Sequence, residues 1–230
     1  MWQQLINWLF PSRCLMCQTL VTQNNEQLCP HCIADLPFIE ITATNINLLY
    51  RPDISRLFPV IHFDNLWALA WYHPPFKHWL SKLKFNNKIY LSTALGQIIN
   101  QRFEAYTQHP EFNWPDIIII LPLHTKRFKQ RGFNQVSQTW YHCLPKDKVR
   151  EDILVRQKAT QPQSKLTAAK RKLNLATAFN CTNDLRNLRI ALIDDVVTTG
   201  ATASAAALCL KQAGAIHVSL WVTCITPLNS

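Results

Sequence analysis

The sequence predicts an α/β fold in which a mostly parallel sheet is flanked by helices. From about residue 57 to the end, segments with the periodicity of strands alternate with segments that have the periodicity of helices. Residues 117–121 and 189–193 are uninterrupted apolar runs, which is typical of strands buried on both faces. The chain has 230 residues, 48% of them hydrophobic, enough for a sizeable core. The predicted strands are residues 66–72, 117–121, 153–156, 189–193 and 217–225.

Helices are expected between these strands and bring them back in parallel through right-handed crossovers. In such sheets ligands bind beyond the carboxyl ends of the strands, so the segments after residues 121 and 193 are expected at a ligand site. The chain has only four glycines, and we expect Gly132 and Gly200 at turns and Gly214 at the end of the last helix. The predicted helices are residues 76–85, 90–106, 134–141, 168–175 and 201–213.

The N-terminal region carries two Cys-x-x-Cys pairs separated by eleven residues, Cys14 with Cys17 and Cys29 with Cys32. Each pair offers two thiolates from one turn, and four thiolates suit a tetrahedral Zn²⁺ ion. The spacing therefore predicts a structural zinc ribbon, with redox-active thiols or vestigial cysteines as the alternatives and His31 as a minor alternative ligand. The four remaining cysteines have no paired spacing and are interpreted as small buried hydrophobic residues.

The organisation predicted along the chain is an N-terminal helix and zinc ribbon over residues 1–40, a polar connector over 41–56, and the α/β domain over 57–230. The first ten residues lack the basic segment of a secretory signal, although their apolar side chains fall on one helical face and suggest a short docking helix. The sequence has no apolar run long enough for a transmembrane helix. A cytoplasmic location without a membrane span is expected.

The positive charge of the chain is concentrated in one segment. The formal net charge is +10, and residues 126–172 hold 13 Lys or Arg against 3 Asp or Glu, so the rest of the chain is balanced. Such a segment favours a polyanionic ligand, either a phosphorylated small molecule or nucleic acid. The alternative is a solvated basic surface.

Two polar segments follow predicted strands. After the strand at 189–193 come two acids and a Thr-rich turn with one glycine that leads into an Ala-rich helix, and backbone N–H groups at such a turn can hold a phosphate. Two adjacent carboxylates beside that turn suit the hydroxyls of a ribose, and no Gly-Lys-Ser/Thr follows, so this is not a Walker A loop. The second segment, residues 121–135, is rich in Lys and Arg, which bind phosphate oxygens. The first motif comprises Asp194, Asp195, Thr198, Thr199, Gly200, Ala201 and Thr202.

These motifs carry a family resemblance. The segment at 194–202 resembles the ribose-phosphate loop of type I phosphoribosyltransferases. Residues 121–135 (LPLHTKRFKQRGFNQ) and 160–175 (TQPQSKLTAAKRKLNL) are similar to signatures of the ComF family, competence-associated phosphoribosyltransferase-like proteins that also have an N-terminal zinc ribbon. The resemblance covers nearly the whole chain in family order and implies a type I phosphoribosyltransferase fold.

The resemblance also implies roles for individual residues. Asp194 and Asp195 would orient the ribose as the catalytic acids, and residues 198–202 would hold the 5′-phosphate of phosphoribosyl pyrophosphate. A flexible loop would close over the site and exclude water. The residues implied for pyrophosphate binding are His124, Lys126, Arg127 and Arg131, and those of the flexible loop are Gln163, Lys165 and Arg171.

Two functions follow from the resemblance. In one, the protein is a phosphoribosyltransferase that uses phosphoribosyl pyrophosphate with Mg²⁺ and an unidentified acceptor, within natural competence and DNA uptake. In the other, the pocket is a non-catalytic sensor or scaffold, and the basic segment binds single-stranded DNA or competence partners. The implied partner proteins are a helicase-like ComF partner and the DprA recombination mediator.

Overall fold

The central feature of the molecule is a parallel sheet of four strands in the order β1-β6-β5-β2. The computed structural model describes residues 13–21, 27–41, 46–86, 90–123, 132–156 and 178–228. A separate antiparallel pair joins β3 to β4. The predicted fold class, a parallel sheet flanked by helices with an N-terminal cysteine cluster, is confirmed. The strands are β1 (Asn65–Trp71), β2 (Ile117–Ile120), β3 (Val155–Arg156), β4 (Phe179–Asn180), β5 (Arg189–Val197) and β6 (His217–Ile225).

Strand β5 is longer than the sequence analysis predicts, and this changes the setting of the two acids. Its register on β6 continues from Asp194, which pairs with Val222, to Val197, which pairs with Ile225. Asp194 and Asp195 therefore lie within a central strand, not in the loop after it. The apolar run that marked the strand ends at residue 193, but pairing with β6 keeps the backbone extended for four more residues.

Four of the described helices agree with the predicted ones to within one residue at each end, whereas the short helices Pro30–Ala34 and Pro52–Ser55 were not predicted. The helix predicted at 168–175 and the docking helix predicted in the first ten residues lie outside the described part of the chain. Within the described ranges, three short 3-10 turns lie at Leu48–Tyr50, Tyr141–Cys143 and Lys146–Lys148. The helices are α1 (Pro30–Ala34), α2 (Pro52–Ser55), α3 (Phe76–Asn86), α4 (Tyr90–Thr107), α5 (Gln135–Trp140) and α6 (Ala201–Gln212).

The two faces of the sheet bury different side chains. Helices α3, α4 and α5 cover one face, where a cluster of aromatic rings fills the space between helices and sheet. At its centre the rings of Phe103 and Trp221 lie 4.8 Å apart. Helix α6 and the segment with α2 cover the other face over Leu192, Leu220 and other aliphatic residues. Side chains of successive strand residues thus enter different surroundings.

Both edges of the sheet are paired with irregular segments. On the β1 side, Ile39 donates its backbone N–H to Leu69 at 3.0 Å, and Trp71 donates to Pro37 at 2.9 Å. On the β2 side, the N–H of Arg150 bonds the carbonyl of Ile118 at 2.9 Å. These bonds protect both edges from pairing with another chain, and those on β1 attach the segment after the cysteine cluster to the sheet.

The prediction of a polar connector over residues 41–56 is wrong for residues 46–56. Leu48 and Ile54 are fully buried against the sheet. The side chain of Asn47 accepts the backbone N–H groups of Leu49 and Leu66, both at 3.1 Å. Residues 46–56 are therefore part of the packed structure, because their apolar side chains bury against β1 although they lack a regular period. The predicted domain boundary at residue 57 stays a prediction.

Candidate ligand site at the carboxyl edge of the sheet

A small cavity lies where β5 passes into α6. It has a volume of about 150 Å³ and is lined by Asp194 together with residues 196–203. The turn between the strand and the helix is sharp because Gly200 has a φ of +70°, a conformation that L side chains rarely adopt. The predicted positions of Gly200, Gly132 and Gly214 at turns are confirmed by their positive φ angles.

The first turn of α6 gives this cavity the character of an anion site. Gly200 is the N-cap residue and has no side chain with which to cap the helix. The first helical bond runs from the N–H of Ser204 to the carbonyl of Gly200, at 2.7 Å. The N–H groups before it point out of the helix end, where the helix dipole favours negative charge. The arrangement suits a phosphate group, as the sequence predicts for residues 198–202.

The two acids of β5 have different surroundings. Asp194 lines the cavity. Asp195 is buried on the other side of the strand, where its Oδ2 atom lies 2.6 Å from the Nζ atom of Lys84 on α3. Gln135 of α5 donates an amide N–H to the same oxygen at 2.9 Å. The structure therefore brings only one of the two predicted catalytic acids to the cavity.

These surroundings shift the two carboxyl groups in opposite directions. Burial, with the neighbouring charge of Asp195, raises the pKa of Asp194 to about 7. Burial also acts to raise the pKa of Asp195, but the Lys84 ammonium and the hydrogen bond from Gln135 outweigh it, so that pKa lies below its ordinary value. Near neutral pH, Asp195 is a carboxylate and Asp194 exchanges a proton.

Helix α5 places Gln135 against Asp195. It begins after Asn134, whose side chain accepts the N–H of Val136 at 3.1 Å and so caps the helix. At its other end the indole N–H of Trp140 bonds Thr223 of β6 at 3.0 Å, within the buried core. The helix is therefore fixed at both ends on the carboxyl half of the sheet.

The described residues on both sides of the predicted pyrophosphate segment lie at the carboxyl end of β2, next to β5. Its residues His124, Lys126, Arg127 and Arg131 lie outside the described part of the chain. On the near side, the N–H of Leu121 bonds the carbonyl of Ile193 at 2.9 Å. On the far side, the Asn134 side chain donates to the carbonyl of Leu121 at 3.3 Å. The chain thus leaves and re-enters the described structure at the same sheet edge.

The predicted flexible-loop residues Gln163, Lys165 and Arg171 also lie outside the described residues. The flanks of that segment are the short antiparallel strands β3 and β4, with Val155 opposite Asn180.

Sequence reasoning missed Lys84 and Gln135. Gln135 closes a segment that the sequence analysis singled out, but no role was attached to it. Lys84 belongs to a helix of alternating aromatic and basic residues that reads as core packing with solvated lysines. Nothing in the local sequence sets Lys84 apart from Lys82, because the partial burial of Lys84 depends on the packing of α3 on the sheet.

The four paired cysteines form a cluster that fits a metal ion. The Sγ atoms of Cys14, Cys17, Cys29 and Cys32 all lie within 4.8 Å of one another, and those of Cys17 and Cys29 are 3.6 Å apart. A tetrahedral zinc ion with Zn–S bonds of about 2.3 Å separates its sulfur ligands by about 3.8 Å. The donor set and its dimensions therefore suit a structural zinc, and His31 is exposed and not part of the cluster.

Local backbone geometry brings these thiols close together. Gln18 has a φ of +64°, and the chain reverses there so that the N–H of Cys14 bonds the carbonyl of Thr19 at 2.8 Å. The second pair begins at Cys29, the N-cap of α1, and its carbonyl accepts the N–H of Ile33 at 3.0 Å. Of the other cysteines, Cys224 is fully buried, as predicted, whereas Cys143, Cys181 and Cys209 are only partly buried.

Comparison with known proteins gives matches to the cysteine-rich N-terminal region and to most of the chain. Residues 5–43 match the family described as the double zinc ribbon domain. The chain is 30% identical to DNA utilization protein YhgH of Escherichia coli K12 over 219 residues, 93% of this chain and 90% of that protein. It is 25% identical to Competence protein F of Haemophilus influenzae over 221 residues, 92% and 96% of the two chains. Competence protein ComFC of Bacillus subtilis is 30% identical over 143 residues, 62% of this chain and 56% of that protein.

The fold and the cysteine cluster define an α/β protein with an N-terminal zinc ribbon and a small cavity at the carboxyl edge of its parallel sheet. The length and identity of the matches place it more narrowly: the chain belongs to the ComF family. None of the helices within the described ranges is long and apolar enough to cross a membrane.

Proposed function

We propose that this protein binds phosphoribosyl pyrophosphate at the carboxyl edge of its sheet and acts in natural competence or DNA utilization. The observation that carries the proposal is the cavity between β5 and α6, which joins a helix N-terminus to a carboxyl group within about 150 Å³. The helix N-terminus suits a phosphate, and the carboxyl group suits a sugar hydroxyl. Both lie on one rigid strand–turn–helix unit.

In this proposal the 5′-phosphate sits on the N–H groups of the first turn of α6, assisted by the hydroxyls of Thr198, Thr199 and Thr202. The carboxyl group of Asp194 faces the ribose hydroxyls. Gly200 keeps the turn close enough for backbone contact with the phosphate.

The pyrophosphate group is assigned to the basic segment that begins after Leu123. The described flanks of this segment lie at the edge where the ribose would bind: Leu121 bonds Ile193, the residue before Asp194, and Gln135 bonds Asp195. Mg²⁺ is proposed to arrive with the pyrophosphate oxygens, which it prefers as hard ligands.

The biological setting rests on the relatives. Their names refer to competence and to DNA utilization, and they match this chain over most of its length. Single-stranded DNA, a helicase-like ComF partner and DprA are proposed as partners, with the surplus positive charge of residues 126–172 as the physical basis for an acidic or nucleic-acid surface.

Catalysis and ligand sensing are both compatible with such a site. Asp194 has a pKa of about 7, which suits a group that exchanges a proton near neutral pH, and this favours the enzyme, a phosphoribosyltransferase. The alternative is a non-catalytic sensor or scaffold that uses the same pocket.

Isothermal titration calorimetry of the full chain with phosphoribosyl pyrophosphate and Mg²⁺ tests binding. Asp194→Asn is expected to weaken it by at least about tenfold, since a charge-assisted hydrogen bond contributes about 1.5–3 kcal/mol. Asp184→Asn is the matched control, because it removes a surface carboxylate that pairs with Arg186 and does not line the cavity. Pyrophosphate release with candidate acceptors then separates the enzyme from the sensor.

Absence of binding by the wild type, or equal affinity for phosphoribosyl pyrophosphate and inorganic pyrophosphate, would refute the phosphoribosyl assignment. Equal losses in Asp194→Asn and Asp184→Asn would show that the cavity is not the binding site.

A further inference from the structure

An ion pair beneath the ligand cavity has no role in the function proposed so far. Lys84 follows the buried residues Leu80 and Leu83 on α3, and its Nζ atom lies 2.6 Å from Asp195. The side chain of Lys84 is 20% exposed and that of Asp195 is 10% exposed. A pair so far removed from water loses hydration, which makes it a weak source of stability and invites another explanation.

Both carboxylate oxygens of Asp195 are already engaged. Oδ2 receives Lys84 and the amide of Gln135, from two different helices. Oδ1 accepts the backbone N–H of Val196 at 2.7 Å. A ribose hydroxyl that reached Asp195 would have to displace one of these partners.

Asp194 is oriented differently. It is the neighbour of Asp195 on the strand, so its side chain leaves the opposite face, and it is Asp194 that lines the cavity before α6. Its Oδ1 atom accepts the N–H of Asp195 at 2.8 Å, which ties the conformation of one acid to that of the other.

We propose that Lys84 is a positioning residue that gives the two adjacent acids different tasks: it holds Asp195 in a buried ion pair, so that Asp194 alone meets the ribose hydroxyls. This inference rests on the proposed phosphoribosyl site. Without Lys84, the Asp195 carboxylate loses its counter-ion next to Asp194 and repels or displaces the group that binds the sugar.

The chain offers a matched control at the other end of the same sheet. Lys211 of α6 lies 2.5 Å from Asp64, just before β1, which is at the amino edge of the strands. Lys211→Met removes the same kind of ion pair far from the cavity.

Two probes separate recognition of the sugar from recognition of the phosphate. Ribose 5-phosphate needs the carboxyl group and the helix end, whereas inorganic phosphate needs only the helix end. Calorimetry with both probes on the full chain is expected to show Lys84→Met weakening ribose 5-phosphate about tenfold, a change of about 1.4 kcal/mol, with phosphate affinity unchanged. Lys211→Met leaves both affinities unchanged.

The double variant Lys84→Met with Asp195→Asn decides the division of tasks. It removes both charges, so it leaves no unpaired buried carboxylate and is less prone to unfolding than Lys84→Met alone. If Asp194 is the acid that binds the sugar, this variant regains an affinity for ribose 5-phosphate close to that of the wild type. The effects of the two substitutions on the affinity for ribose 5-phosphate are then non-additive, as expected for two residues in contact.

A double variant as weak as or weaker than Lys84→Met overturns the proposal, because it means that Asp195 itself contacts the sugar. Unchanged ribose 5-phosphate affinity in Lys84→Met, or an equal loss for both probes, also overturns it. A wild type that binds ribose 5-phosphate no better than phosphate refutes the phosphoribosyl site itself, and this inference with it.

Discussion

Phe58 lies against Gly200, and a Cβ atom on residue 200 would approach the Cδ1 atom of Phe58 at 2.9 Å. Gly200 also has a φ of +70°, so substitution there is opposed both by the backbone and by a neighbour. The segment before β1 therefore closes over the turn that forms the ligand cavity, although 142 positions separate the two residues along the chain.

The first prediction is that Gly200→Ala destabilises the protein and weakens ligand binding. The left-handed backbone costs about 1–2 kcal/mol in an L-residue, and displacement of the buried Phe58 ring adds to this. Urea unfolding measures the free energy, and calorimetry with phosphoribosyl pyrophosphate measures the affinity.

Gly132→Ala is the control for backbone strain, because Gly132 has a φ of +75° and a Cβ there meets no atom of the described residues within 4 Å. Gly200→Ala should cost more than Gly132→Ala, and Phe58→Leu in the Gly200→Ala background should recover part of the difference. Equal losses at the two glycines would contradict the contact with Phe58.

The second prediction is one zinc ion per chain on the cysteine cluster. Protein purified without added metal should contain near-stoichiometric zinc by elemental analysis, and a chelator should remove it with loss of structure in the N-terminal region. Cys17→Ala should abolish binding and leave the sheet folded, because the core on the α6 side of the sheet contains none of these cysteines. Cys181→Ala, outside the cluster, should keep the metal; loss of zinc from both variants would point to a different site.

The third prediction concerns pH and Asp194. Its pKa is about 7 in the folded protein and 3.8 as an ordinary carboxyl group, so between these values the folded state binds more protons than the unfolded state. The contribution of Asp194 therefore makes stability fall as pH rises through this window. Asp194→Asn does not titrate, so its stability relative to the wild type should increase from pH 4 to about pH 7 and then level off.

Denaturant unfolding of the wild type and Asp194→Asn across this window measures the effect, since all other titrating groups largely cancel in the difference. Asp184→Asn is the control: Arg186 lowers the pKa of Asp184, which stays ionised over the same range. A flat difference for Asp194→Asn would show that its carboxyl group titrates normally.

The fourth prediction concerns nucleic acid and the basic segment. If residues 126–172 bind single-stranded DNA, affinity should fall with salt with a log–log slope of about −0.7 per phosphate neutralised. Reversal of Lys170 and Lys172 to Glu should reduce DNA binding more than phosphoribosyl pyrophosphate binding. Reversal of Lys77 and Lys82 to Glu, on the exposed side of α3, carries the same charge change outside the segment.

Filter binding at several salt concentrations, with calorimetry on the same variants, measures both affinities. If the basic segment instead closes over the ligand cavity, the small ligand should weaken at least as much as DNA. No DNA binding at low salt would eliminate direct contact with DNA.

Local patterns in the sequence determined much of this protein. Continuous apolar runs identified strands buried on both faces, paired Cys-x-x-Cys spacing identified the cysteine cluster, and the order Asp–Asp–Val–Val–Thr–Thr–Gly indicated a turn between a strand and a helix. These features depend on residues close together in the chain, where periodicity and backbone preference are read directly. The bounds of β6 and the turn at Gly200 were predicted for this reason.

Only the tertiary structure decided what the two acids do. Asp194 and Asp195 are identical in type and adjacent in sequence, yet one lines the cavity and the other pairs with Lys84. The pleat of a strand sends them to opposite faces. Lys84 lies 111 positions before Asp195 and reaches one of these faces only through the packing of α3 on the sheet. The burial of Leu48 and Ile54 has the same origin, because it requires contact with strands distant in sequence. Such contacts leave no local period, and so only the packed fold specifies them.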